Sequence, residues 1–375
     1  MNTRAVFHVL VLTLLSAFCA LEPQALAATS DSALLKAKAD AEAKGFIFAS
    51  SREEILAQAK KEGRVKILSG WDRDIFPHLK AAFTKKYPFI DVHIEETAGI
   101  DAAQRNVLEV KSGGAQGWDV LNNHPDFYSE MAPHLKKFDL LGMARHGILR
   151  IPLPMIDPAN RNVVLVGSHI QVVAFNKKII APDKVPAHWE DLLKAEFKDK
   201  KFAIDMRPTQ VASLIPAWGL EKTLDYARKL AAQQPLWVRG GERNVSAVIA
   251  GELQMFVAPN YSSVKRAEAK DPTRTLGFRV LEPIPTRLSK SPGLLAVAEH
   301  PYAGLLWLEF EAGPEAQKLA DKYEPFGASI FAPGSALEEL TKGKKLSVVD
   351  WNHFHRMKEY QKKIVEAYGF PKASK

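Results

Sequence analysis

Apolar residues follow two alternating spacings in the first half of the chain, and these predict helices and strands in turn. The helical spacing occurs over residues 52–62, 75–86 and 105–111, and the alternating or short apolar runs VKIL, IDVHIEE and WDVL follow in the same order. Ser51 is suited to cap the first helix and Gly63 to end it. This order of elements predicts an α/β sheet with helices on its faces.

The same alternation begins again at the apolar run HIQVVAFNKK. The elements predicted after it are a helix over 188–197, the strand KFAIDM, helices over 211–217, 221–232 and 245–250, and the strand LQMFVAP. Two such blocks predict two lobes, with one crossover strand at Gln171–Asn176 and a second within the proline-rich residues 278–298. Helices are then predicted over 302–323, with a break at Gly313, and over 337–340 and 349–368.

The pattern divides the chain into five parts. These are a signal peptide at 1–27, a leading helix or extension at 28–50, the first part of lobe 1 at 51–172, lobe 2 at 173–285, and a return to lobe 1 with the C-terminal helices at 286–375. The first part has a basic Arg4, an apolar run over 6–18 and a small-residue cleavage site at 25–27. Because that run is shorter than the about 20 residues of a transmembrane helix, we predict cleavage, with an uncleaved anchor as the alternative. The large Phe18 before Cys19 argues against a lipid anchor, so a periplasmic product is expected.

The net positive charge of the chain favours anionic ligands. The 375 residues include 51 Lys and Arg against 43 Asp and Glu, a formal net charge of +8. A basic protein attracts anionic solutes, anionic lipids or nucleic acid. Nucleic acid is not expected as a partner, because the lysines are scattered and no aromatic stacking repeat accompanies them.

Familiar enzyme motifs are missing from the sequence. It has no G-x-S-x-G elbow, no Walker-type phosphate loop, no H-E-x-x-H and no G-x-G-x-x-G. His353 and His355 are two residues apart and point in different directions on a helix, so they predict no metal site. The sequence therefore gives no support for catalysis, without excluding it, and no cofactor is expected.

Polar and aromatic residues follow four predicted strands, in the loops SGWDRD, NNHPDFY, RPTQ and NYSS. In open α/β sheets, ligands bind beyond the carboxyl ends of the strands, so these loops are expected to converge. Ligand pockets combine aromatic walls with a few oriented polar groups. The candidate ligand-binding residues in these loops are Trp71, Asp72, Arg73, Asn123, Arg207, Thr209 and Tyr261.

Several of these residues also have a purely structural interpretation. Trp71 would then shield the sheet edge, and Asp72 would cap the following helix. Arg207 would form a surface salt bridge, and Tyr261 would be a buried, hydrogen-bonded tyrosine. His124 is interpreted as a turn residue before its proline.

The turn VRGGERN, residues 238–244, adds three more candidates. Asn244 is suited to cap a helix that begins at Val245, whose free N–H groups favour an anion. Arg239 and Arg243 would add guanidinium groups suited to a carboxylate or phosphate. In the structural alternative, Glu242 pairs with one of the two arginines.

The order of these motifs resembles a family of periplasmic binding proteins. It rests on EEILAQAKKEGRVKILSG, YPFIDVHIEE, GWDV, HIQVVAFNKKII, VPAHWEDLLKAEFKDKKFAI, NVSAVIAGELQMFV and AEHPYAGLLWLEFEAGPEAQKLA, between about residues 51 and 333. The chain is similar to extracellular solute-binding proteins of family 1, in the branch for ferric iron, thiamine, polyamines, phosphonates and sugar phosphates. The most specific stretch is 173–201.

The resemblance implies a fold and a set of partners. The fold is the type II periplasmic binding protein fold, with two α/β lobes joined by two hinge strands that close over a ligand. The expected partners are a small solute and the permease and ATPase of an ABC importer in the inner membrane, with the binding protein itself a monomer. A ligand-presenting sensor subunit and an exported enzyme on the same fold are the alternatives.

The resemblance also bears on the solute. Ferric members carry two adjacent tyrosines after the strand that reads LQMFVAP here, whereas this chain has Tyr261 followed by Ser262. With one phenolate missing, and with Arg207, Arg239 and Arg243 in the loops, we predict an organic anion with a carboxylate, phosphonate or sugar-phosphate head. Ferric iron, free or chelated and bound through Tyr261, is the alternative.

Overall fold

The structure, a computed structural model, describes residues 22–97 and 99–370. Most of the predicted signal peptide, residues 1–21, lies outside the described residues, and residues 22–27 belong to the first helix. No helix among the described residues has the length and apolar character needed to cross a membrane.

Fifteen helices and eleven strands alternate along the described residues. The helices are α1 (Glu22–Glu42), α2 (Arg52–Glu62), α3 (Phe76–Lys86), α4 (Gly99–Lys111), α5 (Tyr128–Met131), α6 (Leu140–Arg145), α7 (Thr209–Ala212), α8 (Ile215–Trp218), α9 (Leu220–Ala232), α10 (Gly241–Ala250), α11 (Tyr261–Ala269), α12 (Pro301–Ala312), α13 (Pro314–Tyr323), α14 (Ala336–Thr341) and α15 (Trp351–Tyr368). The strands are β1 (Arg64–Ser69), β2 (Asp91–Glu96), β3 (Val120–Asn123), β4 (Ser168–Asn176), β5 (Ala203–Asp205), β6 (Leu236–Val238), β7 (Met255–Asn260), β8 (Leu276–Arg279), β9 (Ile284–Leu288), β10 (Ser291–Leu294) and β11 (Leu346–Val349).

The first lobe is built on a four-stranded sheet in the order β10-β3-β1-β2. Strands β3, β1 and β2 are parallel, and β10 is antiparallel to β3. The helices around this sheet begin and end at local signals: Ser51 Oγ accepts a hydrogen bond from Glu54 N at 3.1 Å, and Gly63 ends α2 at a φ of 67°. Both predictions for α2 are confirmed, and such a cap contributes about 1 kcal/mol of stability.

The second lobe is built on a seven-stranded sheet in the order β11-β9-β4-β7-β5-β6, with β8 paired to β4. Strands β8 and β9 both run antiparallel to β4, on successive parts of it. The last strand, β11, is parallel to β9 and was missed by the hydrophobic pattern, because the run LSVV is short and alternates over only four residues.

Two antiparallel segments join the lobes. Val164 N donates to Pro292 O at 3.1 Å, Val166 N to Lys290 O at 2.8 Å, and Ser289 N to Gly167 O at 3.0 Å. The pairing continues into β4 and β9. The predicted crossover at Gln171–Asn176 lies further along, within the second sheet, so the chain crosses between the lobes earlier than the pattern indicated.

One predicted helix is wrong in type. Residues 188–197 form two 3-10 helices, Trp189–Leu193 and Ala195–Phe197, separated by an extended Lys194 with a ψ of 151°. The Asp191 carboxylate accepts hydrogen bonds from Ala187 N and His188 N, which stabilises a tight turn in place of a continuous α-helix.

The C-terminal helix α15 contacts both lobes. At its start, Trp351 packs against Tyr128 in a cluster formed mainly by the first lobe. Further along, Tyr360 and Ile364 belong to the core of the second lobe, next to α9. The helix therefore spans one end of the space between the lobes.

Candidate functional site

A cavity of about 370 Å³ lies between the lobes, and residues from four parts of the protein line it. The first lobe contributes Asn122 at the end of β3 and loop residues that include Gly70, His124 and Asp126. The second lobe contributes Asp205, Arg207, Thr209 and Asn260, among others. The hinge segments contribute His169, Arg287 and Lys290, and the C-terminal region contributes Val349, Phe354, Met357, Lys358 and Gln361.

Three residues form one row across the floor of this cleft. His169 on β4 is directly opposite Arg287 on β9, and Arg287 is in register with Val349 on β11. Neighbouring strands are about 4.8 Å apart, and residues in register share a face of the sheet. All three residues line the cavity, so two hinge strands and β11 together supply its floor.

Arg287 is the cationic side chain of that row. Its Nη2 donates to Asn260 Oδ1 at 2.8 Å, whereas its buried Nε has no hydrogen-bond partner among the described residues. Burial, together with the positive charge of Arg207, lowers the pKa of Arg287 to about 10, so the group stays charged at neutral pH. A bound anion would supply the missing acceptor and relieve the cost of an unpaired buried donor.

The position of Asn260 depends on an irregular backbone. Ala258 on β7 has a φ of 64°, which is unusual for a residue other than glycine, and the register between β4 and β7 shifts between Gln171 and Val173. A bulge of this kind re-aims the side chains that follow it. Here the side-chain Oδ1 of Asn260, two residues after the bulge, lies beside the Arg287 guanidinium.

His169 is a second polar group without a partner. Its buried Nδ1 has no hydrogen-bond partner in residues 22–97 and 99–370. Burial and then the charges of Lys290, Arg287 and Arg266 lower the pKa of His169 well below its usual value. The imidazole is therefore neutral at neutral pH and is surrounded by positive charge, an environment that favours an anion.

Lys290 is held by the first lobe at the edge of the cleft. Its Nζ lies 2.7 Å from Glu324 Oε2 and 4.2 Å from the centre of the Trp71 ring. Trp71 is only 2% exposed, and its Nε1 donates to Glu311 Oε1 at 3.1 Å. Burial raises the pKa of Glu311 to about 8, so this carboxyl is protonated at neutral pH.

Two of the sequence-predicted site residues line the cavity, namely Arg207 and Thr209. Arg207 forms two hydrogen bonds with Asp205, Nη2 to Oδ2 at 2.6 Å and Nε to Oδ1 at 3.0 Å, so its charge is already paired. Thr209 Oγ1 accepts a hydrogen bond from Gln361 Nε2 at 2.9 Å. Their contact with a solute stays a prediction.

The other candidates in the first and second lobes have partners within the protein. Asp72 lies at the interface between the lobes, with Oδ2 3.3 Å from Arg266 Nη1. Arg73 pairs with Glu96 at 2.7 Å within the first lobe, and the buried Asn123 donates to Ser291 O at 2.7 Å.

Tyr261 is 4% exposed and packs between the rings of Phe278 and Phe326. Among the described residues, no group of three or more His, Cys, Asp or Glu side chains is arranged to hold a metal ion.

The two arginines of the turn do not line the cavity, although Gly241 between them does. The prediction that Asn244 caps a helix starting at Val245 is wrong, because α10 begins at Gly241, where Gly240 adopts a φ of 91° that only glycine tolerates well. Asn244 is inside the helix and donates to Arg239 O at 2.9 Å. Glu242 pairs with Arg266 at 2.9 Å and not with either arginine of the turn.

The residues that sequence reasoning missed are His169, Arg287, Lys290 and the cleft-facing side of α15. His169 begins a predicted strand and Arg287 lies within the predicted second crossover, and neither pattern shows which strand will lie opposite. The one available signal was the position of His169 next to the first predicted crossover and of Arg287 within the second, where a cleft floor would be expected.

Solved structures of ferric iron proteins have the same fold. Ferric iron-binding protein A of Mannheimia haemolytica in an open conformation is 19% identical, with a TM-score of 0.65, over 82% of this chain and 100% of that one. The Trichodesmium protein FutA in complex with iron and citrate is 18% identical, with a TM-score of 0.62, over 82% and 100%. Iron-bound HitA of Pseudomonas aeruginosa is 17% identical, with a TM-score of 0.55, over 80% and 99%. These similarities confirm the predicted two-lobed α/β fold.

A search of curated protein sequences gives no match. The sequence model of a protein family does match, over residues 135–356, which is more than half of the 375 residues. Together with the fold and the cleft between its lobes, this match shows that the chain belongs to the bacterial extracellular solute-binding proteins.

Proposed function

We propose that this solute-binding protein captures a small organic anion between its lobes and delivers it to the permease of an ABC importer. The observation that carries the proposal is the floor of the cleft, where Arg287 Nε and His169 Nδ1 are both buried and without a partner among the described residues. A solute with a carboxylate, phosphonate or phosphate head offers acceptors to Arg287 Nε and to His169 Nδ1 in the tautomer that carries the proton on Nδ1.

Electrostatics supports the same class of solute. Arg287 and Lys290 line the cavity, and Arg266 is close enough to affect the pKa of His169. Charges act more strongly in a partly desolvated cleft than on the surface, because the effective dielectric constant is lower. An incoming anion is thus attracted to Arg287 on the floor; of the two carboxylates in the lining, Asp126 and Asp205, the second is paired with Arg207.

Ferric iron is a second candidate, and the solved structures favour it over an organic anion. Three relatives in fold are ferric or iron-bound proteins, and one of them holds iron together with citrate. In this chain Tyr261 is buried between two aromatic rings and does not line the cavity, and Ser262 follows it. The residues of the cleft therefore favour an anion, or iron that arrives already bound to one.

The signal features at residues 1–27 support a periplasmic location for this capture step. The family consists of solute-binding proteins, and delivery to a membrane permease is what membership of it implies. We propose that the protein acts as a monomer without a cofactor. Mass spectrometry of the solute after incubation with the protein tests the enzyme alternative, which requires a chemically altered product.

The function is tested by calorimetry and thermal-shift measurements on the purified protein with acetate, benzoate, phosphate, phenylphosphonate and ferric citrate. At least one of the first four should bind and raise the melting temperature, because a ligand specific for the folded state stabilises it. Binding of ferric citrate alone, with a visible charge-transfer band, would replace the organic anion by iron.

A further inference from the structure

The lining of the cleft changes from charged to apolar along one direction. In the row across its floor, His169 and Arg287 are polar, whereas Val349, one strand further, is aliphatic and 2% exposed. The chain turns directly from β11 into α15, whose N-cap is Asp350. The apolar end of the row is therefore continuous with the C-terminal helix.

One stripe of α15 faces the cleft. Phe354, Met357, Lys358 and Gln361 all line the cavity. They are spaced i, i+3, i+4 and i+7, the spacing of residues on a single helix face. Phe354 and Met357 begin the stripe with an aromatic ring and a thioether, and Lys358 and Gln361 border them with polar groups.

The helix is held in place at both ends of this stripe. On the first-lobe side, Trp351 Nε1 donates to Pro154 O at 3.2 Å, and His355 Nε2 lies 3.1 Å from Asp157 Oδ1. On the second-lobe side, Gln361 Nε2 donates to Thr209 Oγ1 at 2.9 Å. The Phe354 ring is oriented by an edge-to-face contact with Tyr128, at 5.0 Å between centroids. A wall fixed in this way can select solutes by shape.

We infer that the solute is an anion with an apolar body, whose head contacts His169 and Arg287 and whose body contacts Phe354 and Met357 of α15. The inference rests on the proposed function and adds the chemistry of the part of the solute remote from its charge. Met357, Lys358 and Gln361 line the cavity on one face of α15 and are suited to set specificity for the body of the solute.

Two pairs of probes separate the head from the body. Acetate and benzoate share a carboxylate, and phosphate and phenylphosphonate share a phosphorus oxyanion, so each pair differs chiefly by a phenyl ring. Calorimetry should show that the ring-bearing member of at least one pair binds about tenfold more tightly or better, a difference of about 1.4 kcal/mol. Burial of the ring against Phe354 and Met357 provides this gain.

The variant Met357→Gln tests the wall directly. It should reduce the ratio within that pair to about threefold or less by weakening the ring-bearing member, since the charged floor is intact. The matched control is Val365→Gln, an apolar-to-amide change on the same helix at a residue outside the cavity lining, which should keep the ratio of the unchanged protein. Melting temperatures of both variants check that each is folded.

Three outcomes would overturn the inference. Equal affinities within both pairs would show that no apolar wall contacts the solute. A ratio that Met357→Gln leaves unchanged would place the ring elsewhere in the cleft while the proposed anion function stands. If none of the four anions binds, the proposed function itself fails, and the inference with it.

Discussion

Two arginine-containing regions of the second lobe differ in a way that local sequence does not reveal. The turn VRGGERN has the composition of an anion site, with two arginines, a glycine pair and the start of a helix. Arg287 lies in the strand IPTRL and has no such surroundings in the sequence. In the folded chain, Arg287 lines the cleft between the lobes, whereas Arg239 and Arg243 do not.

The difference between the regions is one of solvation. Arg239 and Arg243 are exposed, and water satisfies an exposed guanidinium group so well that a further ion pair adds only about 0–1 kcal/mol. Arg287 has a buried Nε without an acceptor and a pKa lowered to about 10, chiefly by burial. A buried donor that lacks a partner gains far more from a ligand, so the less conspicuous arginine is the better anion ligand.

Arg287→Gln should cause the largest loss of affinity. Glutamine removes the charge from the cleft floor and, being two bonds shorter than arginine, also loses the donor to Asn260 Oδ1. Hydrogen bonds to charged groups contribute about 1.5–3 kcal/mol, so calorimetry should show a loss of up to about a hundredfold for the best-binding anion.

The same variant should fold as well as the unchanged protein, because it removes a charge whose burial is unfavourable. Its melting temperature without ligand serves as the control. An affinity within twofold of the original would show that the anion does not bind at Arg287. The proposed difference between the two arginine regions would then be wrong.

Protonation of His169 should give the second largest effect. Its pKa is well below the usual value, so the free protein holds it neutral at neutral pH, and a bound anion raises the pKa by favouring the imidazolium. Binding then takes up a proton. The affinity should rise as the pH falls, by at most about tenfold per pH unit, within the range between the two pKa values.

Benzoate is the appropriate probe for this measurement, since its own charge is constant between about pH 6 and about pH 8. His169→Gln should remove the pH dependence. His124, also on the cleft, has a pKa that burial lowers, so His124→Gln is the matched control and should retain the dependence. A dependence lost only with His124→Gln would assign the proton to the first lobe.

The fold was predictable where the signal is local. The Ser51 cap, the Gly63 terminus and the break at Gly313 between α12 and α13 are each decided by a residue and its immediate neighbours. The 3-10 helices at 189–197 were not predictable, because the Asp191 side chain competes with a helix for backbone N–H groups.

The chemistry of the cleft depends on register between distant strands. His169 and Arg287 become a pair only when β4 and β9 align, and Val349 joins them only when β11 adds to the sheet. Neither alignment is visible in a hydrophobic pattern of period two. The loops after strands predicted part of the cavity lining, since Arg207 and Thr209 belong to it. Trp71 and Asn123 do not, because they form hydrogen bonds with Glu311 and Ser291 within the first lobe.

Asp72→Asn should have a smaller effect, through the closing of the lobes. Asp72 of the first lobe pairs with Arg266 of the second at 3.3 Å, and both side chains are partly exposed. An exposed pair contributes about 0.2–1 kcal/mol, so its loss should weaken anion binding by no more than about fivefold, by favouring the open form. Small-angle scattering should show a slightly larger radius of gyration for the free variant.

Arg73→Gln provides the comparison for that experiment. Arg73 is adjacent in sequence, but its partner Glu96 is in the same lobe, so removal of this pair should change neither affinity nor radius of gyration. Equal effects of both variants would attribute the loss to the loop after β1 and not to a contact between the lobes.

Single alanine substitutions of Arg239 and Arg243 should have the smallest effect. The sequence predicted that both bind the solute, whereas the structure places them outside the cavity lining, with Arg239 Nε 3.2 Å from Met206 Sδ. Calorimetry should therefore show less than a twofold change in affinity for either variant, because an exposed arginine outside the cleft is largely screened by salt. A tenfold loss for Arg243→Ala, with unchanged melting temperature, would mean that the turn reaches the solute when the lobes close, and the two arginine regions would then form one site.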